Sequence, residues 1–167
     1  MSTTRSFLGA GPGIVAFTLP FLVASMVVTV GWHDTTHFAF VRRPVTLGVG
    51  SVLFILGVAL YVRALRVLLR AFASGWLVTT GPYGLCRNPM YAAWILLLVP
   101  AIGLLLDSWP IVTLSFVAYA GFKLLVGREY LELEQAFGPA YRRYEASVNE
   151  LLPLPRWRHA RHAHHRA

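Results

Sequence analysis

Two short polar clusters carry the residue types of a binding or reaction site. The first is Thr80-Gly81-Pro82-Tyr83-Gly84-Leu85-Cys86-Arg87-Asn88-Pro89-Met90-Tyr91. The guanidinium of Arg87 can hold a carboxylate bidentately. Asn88 precedes Pro89, which biases Asn88 toward an extended backbone and suits Pro89 to a first helical turn. A helix starting there offers unpaired N–H groups and a positive dipole end to the same carboxylate. Tyr83 and Tyr91 can stack on a flat ring or a cation. The second cluster begins at Arg128-Glu129, after which Tyr130, Leu133, Phe137, Tyr141, Tyr144 and Val148 recur at helical spacing. Glu129 is an acid at the edge of an apolar run. That position is costly unless a cation, Arg87 or a bound one, pairs with it.

Each residue also has a plainer reading. Arg87 can snorkel to lipid headgroups, Asn88 can cap a helix, and the tyrosines can belong to an interfacial aromatic belt. Glu129 can form a surface pair with Arg128 or Lys123.

The elements that must position these clusters are apolar. Ile14–Val30 is uncharged and contains Pro20, a tolerable kink inside a span whose neighbours re-satisfy the freed carbonyl. Val45–Val62 is uncharged too, and its helical pattern continues through Arg63, Arg66 and Arg70 on one face. Tyr91–Leu106 and Trp109–Val126 are separated only by Asp107-Ser108, a connection short enough to require antiparallel neighbours. The expectation is an all-α membrane protein of four transmembrane helices, the last two a tight hairpin. Gly138-Pro139 then divides the aromatic stripe into two short cytoplasmic or interfacial helices. Gly50 and Gly57, one heptad apart, allow a close helix contact.

Composition agrees with that expectation. Of 167 residues 56% are hydrophobic and 13% charged, about half the charge of a soluble domain, and the mean hydropathy is +0.58. The net charge of +8 reads as membrane flanking rather than nucleic-acid binding, since no basic helix or stacking platform accompanies it. With the N-terminus inside, Arg5, Arg63, Arg66, Arg70, Arg87, Arg128 and the basic tail fall on the inner side, whereas Arg42, Arg43 and Asp107 fall outside. That bias implies a multi-pass protein of the cell (inner) membrane with both termini cytoplasmic. Both polar clusters then face the cytoplasm, while His33 and His37 face the other way. Residues 1–155 form one domain, with the motifs in about 60–155, and 156–167 form a basic, disordered tail. The lone Cys86 excludes an intrachain disulfide. No metal site is expected.

Together the clusters resemble the signature of the isoprenylcysteine carboxyl methyltransferase and phospholipid methyltransferase superfamily of membrane enzymes. The resemblance rests on Gly81-Pro82-Tyr83, Arg87-Asn88-Pro89-Met90-Tyr91, Arg128-Glu129, Phe137-Gly138-Pro139-Ala140-Tyr141-Arg142-Arg143-Tyr144 and Pro153, in that order. Asn88 stands where the eukaryotic carboxyl methyltransferases have histidine. Tyr130 stands where a second glutamate is usual, with Glu132 an unaligned substitute. The resemblance implies S-adenosylmethionine-dependent methyl transfer to a lipophilic small-molecule or lipid acceptor entering from the bilayer. It implies Arg87 and Glu129 as catalytic residues. Gly81, Pro82, Tyr83, Arg87, Asn88, Tyr91, Glu129, Phe137 and Tyr141 would bind the cofactor, with Arg87 and Asn88 on its carboxylate. The competing readings are a non-catalytic membrane transport or assembly protein and a related-fold membrane reductase.

Overall fold

The structure is a computed structural model that describes residues 9–152; the basic tail, Arg5 and Pro153 lie outside the described residues. Most of the described residues are helical. In chain order they form α1 (Gly11–Gly31), α2 (His33–Thr36), α3 (Arg43–Ser74), α4 (Pro82–Leu85), α5 (Pro89–Ala92), a π-helical segment (Ala93–Leu98), α6 (Val99–Leu105), α7 (Trp109–Phe137) and α8 (Pro139–Ser147).

Three helices are long and apolar enough to cross a membrane: Gly11–Gly31, Arg43–Ala71 and Trp109–Phe137. Their outward faces are apolar and exposed, as at Val15, Val23, Val27, Ile55, Phe116 and Leu124. Bare apolar faces of this extent suit lipid and not water. Pro89–Leu105 is a fourth apolar rod, but a shorter one. At about 1.5 Å per residue its helical length falls short of the roughly 30 Å hydrocarbon core. Its middle is π-helical over Ala93–Leu98, with Val99 between it and Pro100. A proline ring clashes with the carbonyl four residues back, and the wider turn accommodates it at Leu96.

One expected boundary is corrected. The fourth apolar run does not end at Val126 with a separate short helix after it. It continues as α7 for 29 residues to Phe137, roughly 43 Å at the α-helical rise. Nothing between Val126 and Phe137 breaks a helix. Gly138, at φ +50°, ends it, and Pro139 opens α8. Glu129 and Tyr130 therefore project from the last turns of a long rigid element.

Small residues set the helix crossings. A side chain at Gly57 would meet Leu98 Cδ2 at 2.7 Å, one at Gly103 would meet Val112 Cγ2 at 2.5 Å, and one at Gly121 would meet Phe17 Cδ1 at 2.6 Å. Gly50 and Gly57 are thus used within the chain, where α3 packs on the Pro89–Leu105 rod. Close backbone approach is the way helices gain packing where lipid supplies no hydrophobic drive. α1 lies along α7, and α7 along α6.

At one end of this bundle the connections are pinned by polar contacts. Thr29 Oγ1 and Ser108 Oγ are 2.6 Å apart, and Ser108 Oγ also accepts from Ile111 N as the cap of α7. Arg43 donates to the carbonyls of Leu104 and Leu105 at 3.2 and 2.7 Å. Asp107 accepts from Phe38 N at 3.3 Å. His33 and His37 belong to this end, away from both clusters.

Candidate functional site

The opposite end gathers the two clusters. Gly81, at φ +62°, turns the chain into α4, where Pro82 and Tyr83 are buried. Cys86 to Asn88 then run extended beside the segment after α8. Arg87 N donates to Asn149 O at 2.8 Å and Asn88 N to Glu150 O at 3.1 Å. This short pairing holds the first cluster against the C-terminal segment.

The aromatic stripe closes over it. Tyr83, Tyr141 and Tyr144 are buried with Ala64, and Tyr130, Leu133, Phe137 and Val148 pack around them. Tyr144 Oη donates to Tyr83 O at 2.7 Å, a net contribution of about 1 kcal/mol for such a bond. Burial pushes the Tyr83 hydroxyl and the Cys86 thiol above their ordinary pKa values, so both stay protonated at neutral pH. Cys86 is a buried packing residue.

Arg87 is an enclosed charge. Its side chain is 9% exposed, it forms an ion pair with Glu145, and its guanidinium lies 4.7 Å from the centroid of the Tyr130 ring. Nε is buried and has no hydrogen-bond partner. The Tyr141 hydroxyl faces the same guanidinium, but without the geometry of a hydrogen bond, and is likewise unpartnered. Buried polar atoms left without partners are uncommon, and a bound group is one way they become satisfied.

Two expected pairings are corrected here. Arg87 does not pair with Glu129; its partner is Glu145, supplied by α8. Glu129 instead accepts from Tyr91 Oη at 3.1 Å and from the backbone N–H of Ala10 at 3.2 Å. Lys123, which with Arg128 was the plainer surface alternative for Glu129, pairs with Glu150 at 2.7 Å. Glu129 therefore meets neutral donors among the described residues. Asn88 stands at the start of α5, but its side chain does not cap that helix. Its amide donates to Tyr130 Oη at 2.6 Å and to Glu150 O at 3.3 Å.

A cleft of about 860 Å³ runs through this end, within the range of small-molecule sites. Tyr83, Arg87, Asn88, Tyr91, Glu129, Phe137 and Tyr141 all line it. Gly81 and Pro82 do not; they shape the turn that presents Tyr83. Glu132 lines it too, although exposed. The cleft continues between one face of α1 (Val15, Ala16, Leu19) and one face of α3 (Tyr61, Leu65, Leu68), with Trp94 beside them. One end is thus polar and aromatic, and the other opens on the apolar flank.

Three contributors escape a reading of the sequence. Glu145 and Glu150 look like ordinary surface acids, and only long-range folding brings them to Arg87 and Tyr130. The Gly9-Ala10 backbone covers Glu129 so closely that a side chain at Gly9 would lie 2.6 Å from Oε2. Its one sequence signal is the glycine spacing of Gly9-Ala10-Gly11-Pro12-Gly13.

Fold and cleft define a helical protein with spans of membrane length and an amphipathic cleft at one end. Comparison with known proteins adds no relative: no family model, curated protein or solved structure matches the chain.

Proposed function

We propose that the chain is an S-adenosylmethionine-dependent methyltransferase acting on a lipophilic acceptor at the cytoplasmic face of the membrane. The observation that supports this most is the cleft itself. Arg87, Asn88, Tyr91 and Glu129 share one space that leads, without a break, to an apolar flank between α1 and α3. Such a space suits a polar donor at one end and an acyl or isoprenoid tail at the other.

In this reading the Arg87 Nε, unpartnered among the described residues, takes the donor's carboxylate, and Glu129, which meets neutral donors among those residues, takes its ammonium. Tyr83, Phe137 and Tyr141 wall the cofactor. A sulfonium donor supplies the methyl group by in-line displacement: the acceptor's lone pair bonds to the methyl carbon as the C–S bond breaks, leaving a neutral thioether. The protein's part is to align the reactants and exclude water. A carboxylate acceptor requires no base, whereas an amine or thiol must lose a proton. The Pro89–Leu105 rod is then a fourth span, locally thinning the bilayer because it is short, and both termini are cytoplasmic.

Membranes containing the chain, supplied with methyl-labelled S-adenosylmethionine and a lipid extract, are expected to yield a labelled lipophilic product resolved by mass. The Arg87→Ala variant is expected to yield none. Equal labelling by that variant, or no labelling by the wild type, would count against the proposal.

A further inference from the structure

Asn88 is a polar residue of the cleft whose amide orientation is set by neighbours that accept but do not donate. The backbone oxygen of Glu150 is an acceptor only, so the Asn88 atom 3.3 Å from it must be Nδ2. The second Nδ2 hydrogen meets Tyr130 Oη at 2.6 Å. Tyr130 can accept that hydrogen because its own proton is committed, at 3.0 Å, to Glu150 Oε1. Glu150 is held in turn by Lys123, 2.7 Å from its other carboxylate oxygen. Lys123 can only donate, so it fixes Glu150 as the acceptor of the chain. Both amide hydrogens of Asn88 are therefore used inside the protein. Oδ1 is the polar atom it has left for the cleft.

Arg87 shows the opposite polarity. One terminal nitrogen is engaged by Glu145 and the guanidinium face lies over the Tyr130 ring, while Nε is buried without a partner. Tyr130 thus touches both residues, Arg87 through its ring and Asn88 through its hydroxyl.

We propose that Tyr130 and Glu150 form a positioning pair that holds Asn88 as an acceptor for the N–H end of a bound zwitterion, leaving its carboxylate to Arg87 Nε. This rests on the methyltransferase reading and changes one part of it: Arg87 and Asn88 do not share the carboxylate. Asn88 and Glu129 read the ammonium, and Arg87 reads the carboxylate. It also assigns a task to Tyr130, the residue that replaces an acid in the family pattern. The acid is present, but it comes from Glu150 and acts through the phenol.

The test is calorimetry of the full chain in detergent with three ligands: S-adenosylhomocysteine, its deaminated analogue and its decarboxylated analogue. The wild type should bind S-adenosylhomocysteine about tenfold or more tightly than the deaminated analogue, as one charge-assisted hydrogen bond requires. Tyr130→Phe keeps the ring under Arg87 and removes the hydroxyl. It should weaken S-adenosylhomocysteine and the decarboxylated analogue about tenfold while changing the deaminated analogue less than about threefold. Glu150→Gln conserves shape and reverses polarity. Its amide oxygen turns to Lys123 and its NH₂ to Tyr130, so the phenol donates toward Nδ2 and the backbone oxygen of residue 150 is left alone to orient the Asn88 amide. The same pattern of selective loss is expected.

If either variant weakens all three ligands by one common factor, the pair is merely structural and the proposal is overturned. It is also overturned if the wild type does not discriminate against the deaminated analogue. If the wild type binds none of the three, the methyltransferase reading falls and takes this inference with it. Wild-type binding with uniform losses in the variants sinks the positioning role alone.

Discussion

The two ends of the helical bundle use similar residue types to opposite effect. At the Asp107 end, buried Thr36, Thr46 and Ser108 are all hydrogen-bonded, Arg43 is spent on two helix-terminal carbonyls, and none of its residues lines the 860 Å³ cleft. Among the described residues at the Glu129 end, Arg87 Nε and Tyr141 Oη are buried without partners, Glu129 meets only neutral donors, and a cleft of about 860 Å³ lies among them. A polar cluster that closes on itself holds connections together. One that leaves directional groups unsatisfied around a space is arranged for something else. Arginine shows the contrast most clearly. Arg43 completes a helix end, whereas Arg87 is enclosed, stacked and still incomplete.

Substitutions at the two ends should therefore separate binding from stability. The largest effect is expected from Arg87→Ala, which should lower affinity for S-adenosylmethionine by about 100-fold or more, the scale of a lost buried charge-assisted contact. Arg43→Ala should leave that affinity unchanged and lower the thermal midpoint instead; a binding loss there would erase the distinction. Next comes Glu129→Gln, which keeps the bond from the Ala10 N–H and removes the charge. It should cost about tenfold in affinity with little change in thermal midpoint, read by calorimetry and a melt on the same preparation.

Gly9→Ala should act more weakly and on the site alone. The new side chain meets Glu129 Oε2 in a backbone conformation that favours glycine. It should displace the covering segment and lower methyl-transfer activity several-fold, while the melt stays near wild type. The smallest effect is expected from Ser108→Ala. Loss of the α7 cap should cost roughly 1 kcal/mol of stability and leave ligand affinity untouched.

How much of this was legible in the sequence differs between the ends in the same way. The long apolar runs declared α1, α3 and most of α7, because uncharged stretches of that length have few alternatives. Gly138-Pro139 marked the start of α8 by the same local chemistry that ends α7. The extent of α7 exceeds the apolar run because polarity rises after Val126 while strong helix formers such as Arg128, Leu131, Glu132 and Leu133 carry the helix past Gly127. Tyr83, Arg87, Asn88, Tyr91 and Glu129 were readable as candidates from their types, and all five line the cleft. Their partners were not readable. Complementary charge suggested Arg87 with Glu129, but Glu145 and Glu150 reach the site only through the turn after α7 and the pairing of 86–88 with 149–150, contacts that no local pattern reports. Ala10 contributes a backbone N–H, which any residue but proline carries and which composition does not mark.

The most direct test of the central claim is a titration of S-adenosylmethionine into purified wild-type chain, Arg87→Ala and Arg43→Ala under one set of conditions. Saturable binding by the wild type and Arg43→Ala, abolished in Arg87→Ala, is the expected result. No binding by the wild type, or equal binding by all three, would contradict the assignment of this cleft to the methyl donor.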